Sequence, residues 1–375
     1  MNGEGSAKRG RQFEQSDSLP EEQAGKRMAQ RGDRTAMAAT IRDITKMTGL
    51  SLATVSKYLN GGNVLPDNRA RIEAAIEALH YEVNEVARGL ATNRTRTVGI
   101  LTHRLDNIFA GTIITEIEDI LRKNDYGTIV CGCRGDEKLE AEALRFLLAK
   151  RVDGIIAIPT SASSSYLEPA LNRQIPVVLI DRSIEDREFD CVTVDNEAAS
   201  CEAVRRLIAY GHTRIGMICG EERTYTAKKR LEGYQRAHRE AGLAVFPEYI
   251  EHGPMMETEY GYQAMKRLLA LKEPPTAVFL SNYEITLGGI IALNELGKRF
   301  PDDISIVGFD NLMLSQVVKP KLWMVCQPMK EIAERAAGLL LERLSGERKE
   351  GGVRVMLETK IYEGESVGYF RKEQG

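Results

Sequence analysis

Long hydrophobic runs are missing from this sequence: no stretch approaches the ~18 consecutive apolar residues of a membrane-spanning helix, and no apolar segment follows a basic start. Neither membrane insertion nor export is therefore expected. The six cysteines, at 131, 133, 191, 201, 219 and 326, lack the paired two-residue spacing of a zinc site or a redox motif. Most fall in or beside apolar runs and read as small core residues in a reducing cytoplasm. The five histidines are scattered, and His212, which follows Gly211 before a strand, reads as a local hydrogen-bonding residue. There is no G-x-G-x-x-G, no G-x-x-x-x-G-K-[ST], no G-x-S-x-G and no H-E-x-x-H. With the familiar phosphate cradles and nucleophile turns absent, the expectation is a protein that is not an enzyme, with no catalytic residues, no metal and no cofactor.

What is present is length and an uneven charge. The 375 residues exceed one compact core, and 43% hydrophobic residues can fill two or three. The net charge of −3 divides into +1 over residues 1–38, +2 over 39–97 and −6 over 98–375. A mildly basic front and an acidic body suit a protein whose front meets phosphate. Residues 1–38 have almost no large apolar side chains and are expected to be a disordered extension, with Met37 as an alternative start.

The segment 39–83 reads as a helix-turn-helix domain. Within TIRDITKMTGLSLATVSKYL, Thr40 caps a helix with Asp43 as its short-armed reciprocal partner, and Ile41, Ile44 and Met47 form an apolar face. Gly49 supplies the left-handed stop, and Ser51 caps a second helix whose Val55 and Leu59 pack inward. Leu52, Ala53, Ser56 and Lys57 then face outward, and their short side chains let the helix lie close to base edges. Pro66 introduces a third helix with Ile72, Ile76 and Leu79 on one face. Residues 84–96 form a linker in which Asn84 caps a short helix carrying Leu90 outward.

The spacing S-x-A-T-V-S-x-x-L-N from Ser51, followed by E-A-x-x-x-L-x-Y-x-x-N-x-x-A-R-x-L up to Leu90, resembles the lac repressor (LacI/GalR) family of bacterial regulators, and the likeness continues to about residue 365. The resemblance implies that the second helix enters the major groove of operator DNA and that 84–91 folds as a hinge helix whose Leu90 wedges into the minor groove. The DNA-contacting set it implies is Thr40, Ser51, Leu52, Ala53, Thr54, Ser56, Lys57, Asn60, Asn84 and Leu90. Val83 departs from the proline usual before the hinge asparagine. On chemistry alone, Thr54 and Ser56 offer hydroxyls, Lys57 can donate to guanine, and Leu52 and Ala53 can pack on thymine methyls.

From Thr97 onward, short apolar runs alternate with amphipathic helices: 98–101, 128–131, 154–158 and 176–180, then 215–219, 277–280 and 304–309, with helices near 110–124, 137–150, 226–241, 259–271 and 283–296. Residues 97–375 are therefore expected to form an α/β core of two lobes, each a parallel sheet with helices on both faces, like a periplasmic binding protein. Ligands bind beyond the carboxyl ends of such strands, where Asn107, Phe109, Thr226, Arg230, Asn282, Asp310 and Gln327 lie. Each alone reads as a cap or loop residue; at every strand end together they read as a pocket. In the resembling family these positions line the effector site, Met256 matches a position that often holds an aromatic, and Tyr283 stands where aspartate is common. One arginine, one carboxylate and several amides suit a hydroxylated or carboxylated small molecule.

The expectation is a DNA-binding regulator acting as a repressor of carbohydrate-utilisation genes, with a near-palindromic double-stranded operator and a sugar-like effector as partners. Some relatives instead use a phosphorylated carrier protein docking outside the cleft; a solute-binding protein would need an export signal and would lack 39–91. One recognition helix makes too few base contacts to find one genomic site, so a homodimer is expected, with Ala110, Gly111, Gly288 and Gly289 as candidate close-packing positions. No heptad tail follows VRVMLETKIYE, which favours a dimer over a tetramer.

Overall fold

The computed structural model describes residues 39–82, 88–89, 94–222, 224–253, 257–310 and 312–370. The chain divides into two compact units, the first ending at Arg88 and the second beginning at Gly89. The extension 1–38, the hinge positions Asn84 and Leu90, and Met256 lie outside the described residues.

The first unit is three helices: α1 (Ile41–Thr48), α2 (Leu52–Leu59) and α3 (Pro66–Leu79). The Asp43 carboxylate accepts from the backbone N–H of Thr40 at 3.0 Å and from its hydroxyl at 2.7 Å, tying the first turn of α1. Gly49 ends α1 at φ +67°, and Ser51 Oγ accepts from the Thr54 N–H at 3.2 Å to start α2. These caps matter because the core is small: Ile44, Val55, Ile72 and Ala75 are its fully enclosed members, and each fully buried aliphatic contributes only ~1.5–3 kcal/mol. Met47 does not join it. It is 56% exposed, and Thr48, whose hydroxyl donates to the Ile44 carbonyl at 2.7 Å, takes the inward position instead. A hydroxyl satisfied within the helix can be buried, so the apolar residue one position earlier is left outside.

The second unit holds two six-stranded sheets. The first runs in the order β11-β5-β4-β3-β1-β2, from β1 (Thr97–Thr102), β2 (Gly127–Gly132), β3 (Gly154–Ala157), β4 (Val177–Ile180), β5 (Asp190–Val194) and β11 (Arg354–Leu357), all parallel. The second runs β12-β10-β9-β8-β6-β7, from β6 (Ile215–Cys219), β7 (Ile250–His252), β8 (Ala277–Leu280), β9 (Ser305–Asp310), β10 (Trp323–Cys326) and β12 (Lys360–Tyr362). It is parallel except that β12 pairs antiparallel with β10 at one edge. VRVMLETKIYE is therefore two strands, one in each sheet.

Helices cover both faces of each sheet, as unbroken apolar strands require. In the first lobe, α4 (Ile108–Lys123) and α12 (Met329–Ser345) close one face, and α5 (Glu137–Ala149) with the short α6 (Glu168–Leu171) closes the other. In the second, α7 (Asn196–Ala209) and α8 (Tyr225–Glu240) lie opposite α9 (Thr258–Leu269) and α10 (Tyr283–Glu295), with α11 (Leu312–Val317) before β10. The chain crosses between lobes three times: from β5 to α7, from β10 to α12 and from β11 to β12. A bidentate pair, Arg343 Nε and Nη2 to Asp190 at 2.7 and 3.0 Å, fastens α12 to β5. Five of the six cysteines are buried and Cys131 is half-buried; all six are free thiols. No described helix is long and apolar enough to cross a membrane.

Three of the four positions offered for subunit contact, Ala110, Gly288 and Gly289, are packed within the chain instead. Ala110 is wholly buried in the first lobe, and Gly288 and Gly289 sit in the seam between α9 and α10. A Cβ on Gly288 would overlap the Thr258 carbonyl oxygen, and one on Gly261 would lie 2.6 Å from the Ile285 carbonyl oxygen, so these two helices approach backbone to backbone. Gly111 has no atom within 4 Å of where its Cβ would be. Gly288→Ala should therefore cost about 2–3 kcal/mol through backbone displacement, more than the ~1 kcal/mol of helix propensity it gains, whereas Gly111→Ala should be neutral or stabilising. Urea unfolding of both variants checks this; equal effects would contradict the close helix seam.

Candidate functional site

On the outer face of α2, Leu52 is 51% exposed, Ala53 and Lys57 are exposed, and Thr54 and Ser56 are half-buried. The hydroxyls are not idle. Thr54 Oγ1 lies 2.9 Å from Ser51 Oγ, and Ser56 Oγ accepts from Asn60 Nδ2 at 3.3 Å, which holds both along the helix. Lys57 is the cation of this face, and the close Gly62 N–H bonds to its carbonyl at 2.8 Å. Thr40 and its Asp43 partner stand at the start of α1. Sequence reading missed the braces behind the face. Tyr58 Oη donates to Glu73 Oε1 at 2.8 Å, Arg69 Nε donates to the same oxygen at 2.9 Å, and Arg71 Nη2 donates to the Thr48 carbonyl at the end of α1. An arginine capping free helix carbonyls is favourable on both hydrogen-bond and dipole grounds. Only the spacing of Arg69 and Glu73, four apart on α3, signals these braces in sequence.

In the second unit a cleft of about 610 Å³ opens where the strand ends of both lobes face each other. Asn107, Phe109, Thr226, Arg230, Asn282, Asp310 and Gln327 all line it. Their local roles are specific. Asn107 Oδ1 accepts from the Ala110 N–H at 2.8 Å to cap α4, and Asn282 Oδ1 accepts from the Ile285 N–H at 2.8 Å to cap α10. Phe109 is 5% exposed and belongs to the first lobe's core, while Thr226 is buried in the first turn of α8.

Arg230 is buried as a strut. Its Nε donates to Asn196 Oδ1 at 2.8 Å, its Nη1 to the Ser281 carbonyl, and its Nη2 lies 3.6 Å from Asp310 Oδ1, with the guanidinium 3.7 Å from the centre of the Phe309 ring. Asp310 adopts φ +88°, and its carboxylate accepts from the Tyr283 N–H at 3.1 Å and from Gln327 Nε2 at 2.7 Å. The backbone N–H that Tyr283 gives to Asp310 is independent of the side chain; what the departure changes is the side chain at the cleft.

Two contacts bridge the lobes and were not legible in sequence. Asn107 Nδ2 donates to Glu284 Oε1 at 2.7 Å, and Arg104, which also holds Asp106, reaches across to Glu257. Burial, then the Asp310 charge, pushes the Glu284 carboxyl up to about 7. Burial, then Arg182 and Arg104, pushes His103 down to about 3, so its ring is neutral. Asp181 is raised by burial against the pull of Arg182, 3.5 Å away.

A family model described as bacterial regulatory proteins, lacI family, matches residues 40–84, and one described as a periplasmic binding protein-like domain matches 204–367. Catabolite control protein A of Priestia megaterium is 36% identical over 319 residues, covering 84% of this chain and 96% of that protein. The chain belongs to the lacI family of bacterial regulatory proteins. The lac repressor dimer bound to operator and the anti-inducer ONPF shares the fold at TM-score 0.78 and 24% identity, covering 88% of this chain and 99% of that one. The transcriptional regulator CelR in complex with cellobiose matches at TM-score 0.66 and 27% identity, covering 88% of this chain and 99% of that one. As a member of this family the chain is a DNA-binding transcriptional regulator with a helix-turn-helix domain and a two-lobed core, and the family is one of regulators rather than enzymes.

The raised Glu284 carboxyl has a measurable sign. A carboxyl whose folded pKa lies above its unfolded value carries no penalty below about 4.5, and its ionisation progressively destabilises the fold as pH rises through about 7. Glu284→Gln should therefore gain stability relative to the parent on going from pH 5 to pH 8, by about 1–3 kcal/mol. Urea melts at the two pH values read it, and a pH-independent difference would refute the shift.

Proposed function

We propose that the protein is a dimeric, cytoplasmic repressor that binds a near-palindromic operator through α2 and releases or tightens it when a small hydroxylated effector fills the interlobe cleft. The observation that carries the reading is that the cleft is lined from both lobes and that its walls already touch through Asn107–Glu284 and Arg104–Glu257. A ligand that competes with or completes those contacts has different affinity for open and closed arrangements, which is the requirement for coupling to a second site. CelR, in its cellobiose complex, is a similar regulator whose bound molecule is small and hydroxylated. In this reading Thr40, Ser51, Leu52, Ala53, Thr54, Ser56, Lys57 and Asn60 form the DNA face, and Asn107, Phe109, Thr226, Asn282 and Gln327 meet the effector. Arg230 and Asp310 shape the site rather than reach for the ligand, because Arg230→Ala would strand a buried carboxylate at a cost of about 3–5 kcal/mol.

The test is operator titration by fluorescence anisotropy across a salt series, with and without sugars. Lys57→Ala should lose about 1–3 kcal/mol of operator affinity and relax the sequence preference if it reads a base, or lower the salt slope by about one if it reads a phosphate. A variant unchanged in both would remove α2 as the reading surface. Light scattering should give a dimer.

A further inference from the structure

The charge and the unpaired atoms of the cleft say which hydroxylated molecules it takes. Eight Asp and Glu residues line it against four Arg, with no lysine among the described lining residues. Three of those arginines already face carboxylates: Arg104 faces Asp106 and Glu257, Arg230 faces Asp310, and Arg182 faces Asp181. The fourth, Arg134, is exposed at the rim. Deep in the cleft, burial raises the carboxyls of Asp181 and Glu284, and the nearby Asp310 charge raises both further, so a further negative charge there meets like charges in a poorly screened place.

The unpaired atoms point the same way. Gln327 is 7% exposed, and the Asp310 carboxylate can only accept, so the 2.7 Å contact must be made by Nε2. That fixes Oε1 on the other side, where it is buried without a partner and needs a donor. Arg182 Nε, also buried, has only the long 3.5 Å contact with Asp181 Oδ2 and no well-formed hydrogen bond, so it can still give to a closer acceptor, and the neutral His103 leaves Nδ1 unpaired. A hydroxyl can give to one and take from the other; a carboxylate or phosphate can only take.

We propose that the cleft is selective for an uncharged polyhydroxylated ligand, which donates a hydroxyl proton to Gln327 Oε1 and accepts from Arg182 Nε, and that it rejects the carboxylated and phosphorylated forms of the same sugars. This rests on the effector reading above and narrows it.

Calorimetry on the full chain with ribose, glucose and cellobiose against ribose 5-phosphate, glucose 6-phosphate, gluconate and cellobionate tests it, with operator affinity measured for each. At least one neutral sugar should bind roughly tenfold or more tighter than its anionic counterpart. Asp181→Asn, near in shape and one charge less negative, should shrink that ratio, and Gln327→Leu should weaken the neutral sugar while the parent panel stands as the measurement if that variant folds poorly. An anionic member binding tighter than its neutral partner and shifting operator affinity would overturn the selectivity and leave the effector reading intact. Failure of every member to bind at millimolar concentration would overturn both.

Discussion

The second lobe's share of the cleft depends on one buried guanidinium. Arg230, on α8, joins the start of α7 through Asn196, the residue after β8 through the Ser281 carbonyl, and the end of β9 through Asp310, while Phe309 covers its face. A charge removed from water is tolerated only when its donors are used and an opposite charge is near. Here those demands converge three loops on one point. Asp310 can hold φ +88° because Tyr283 and Gln327 bond its carboxylate from neighbouring elements. Burial pulls the Arg230 pKa downward, which Asp310 and Asp181 oppose.

The DNA-binding unit works by smaller means. Its core is a handful of aliphatic side chains, so caps and braces carry a large share of its order: the Asp43–Thr40 contacts, Gly49, Ser51 and the Tyr58–Glu73–Arg69 group. These were legible in sequence where the partners lie within four residues. The inward place of Thr48 was not, because a hydroxyl that satisfies itself within its own helix looks polar in a hydrophobicity pattern.

In the core, seven strands that read as apolar runs were legible; the short β10, WMVC, was not singled out, and strands carrying a charged residue, such as β5, were not legible. β5 is DCVTV, with Asp190 buried because Arg343 meets it from a helix 153 positions away. The cleft residues at strand ends followed from the general rule for parallel sheets. Glu284, whose partner Asn107 is 177 positions away, could not be distinguished from an ordinary first-turn acid of a helix. Gly288 and Gly289 of α10 misled for a related reason: small residues permit a close approach without saying whether the neighbour is within the chain or in a second copy.

The three crossings between lobes fix the order in which the protein can be completed during synthesis. The first lobe is not a contiguous stretch: α12 and β11 are made after nearly all of the second lobe. Until they emerge, the apolar face formed by Ile100, Val178, Ile180 and Val192 has no Ile332, Ala336 or Leu340 to cover it, and β5 has an open edge where β11 will pair. The nascent chain must therefore carry a partly uncovered sheet through the translation of more than a hundred residues, a span in which an unpaired strand edge is open to other chains. Neither lobe can be cut out as a single segment, and a chain truncated before residue 329 would leave one face of the earlier lobe covered by α4 alone.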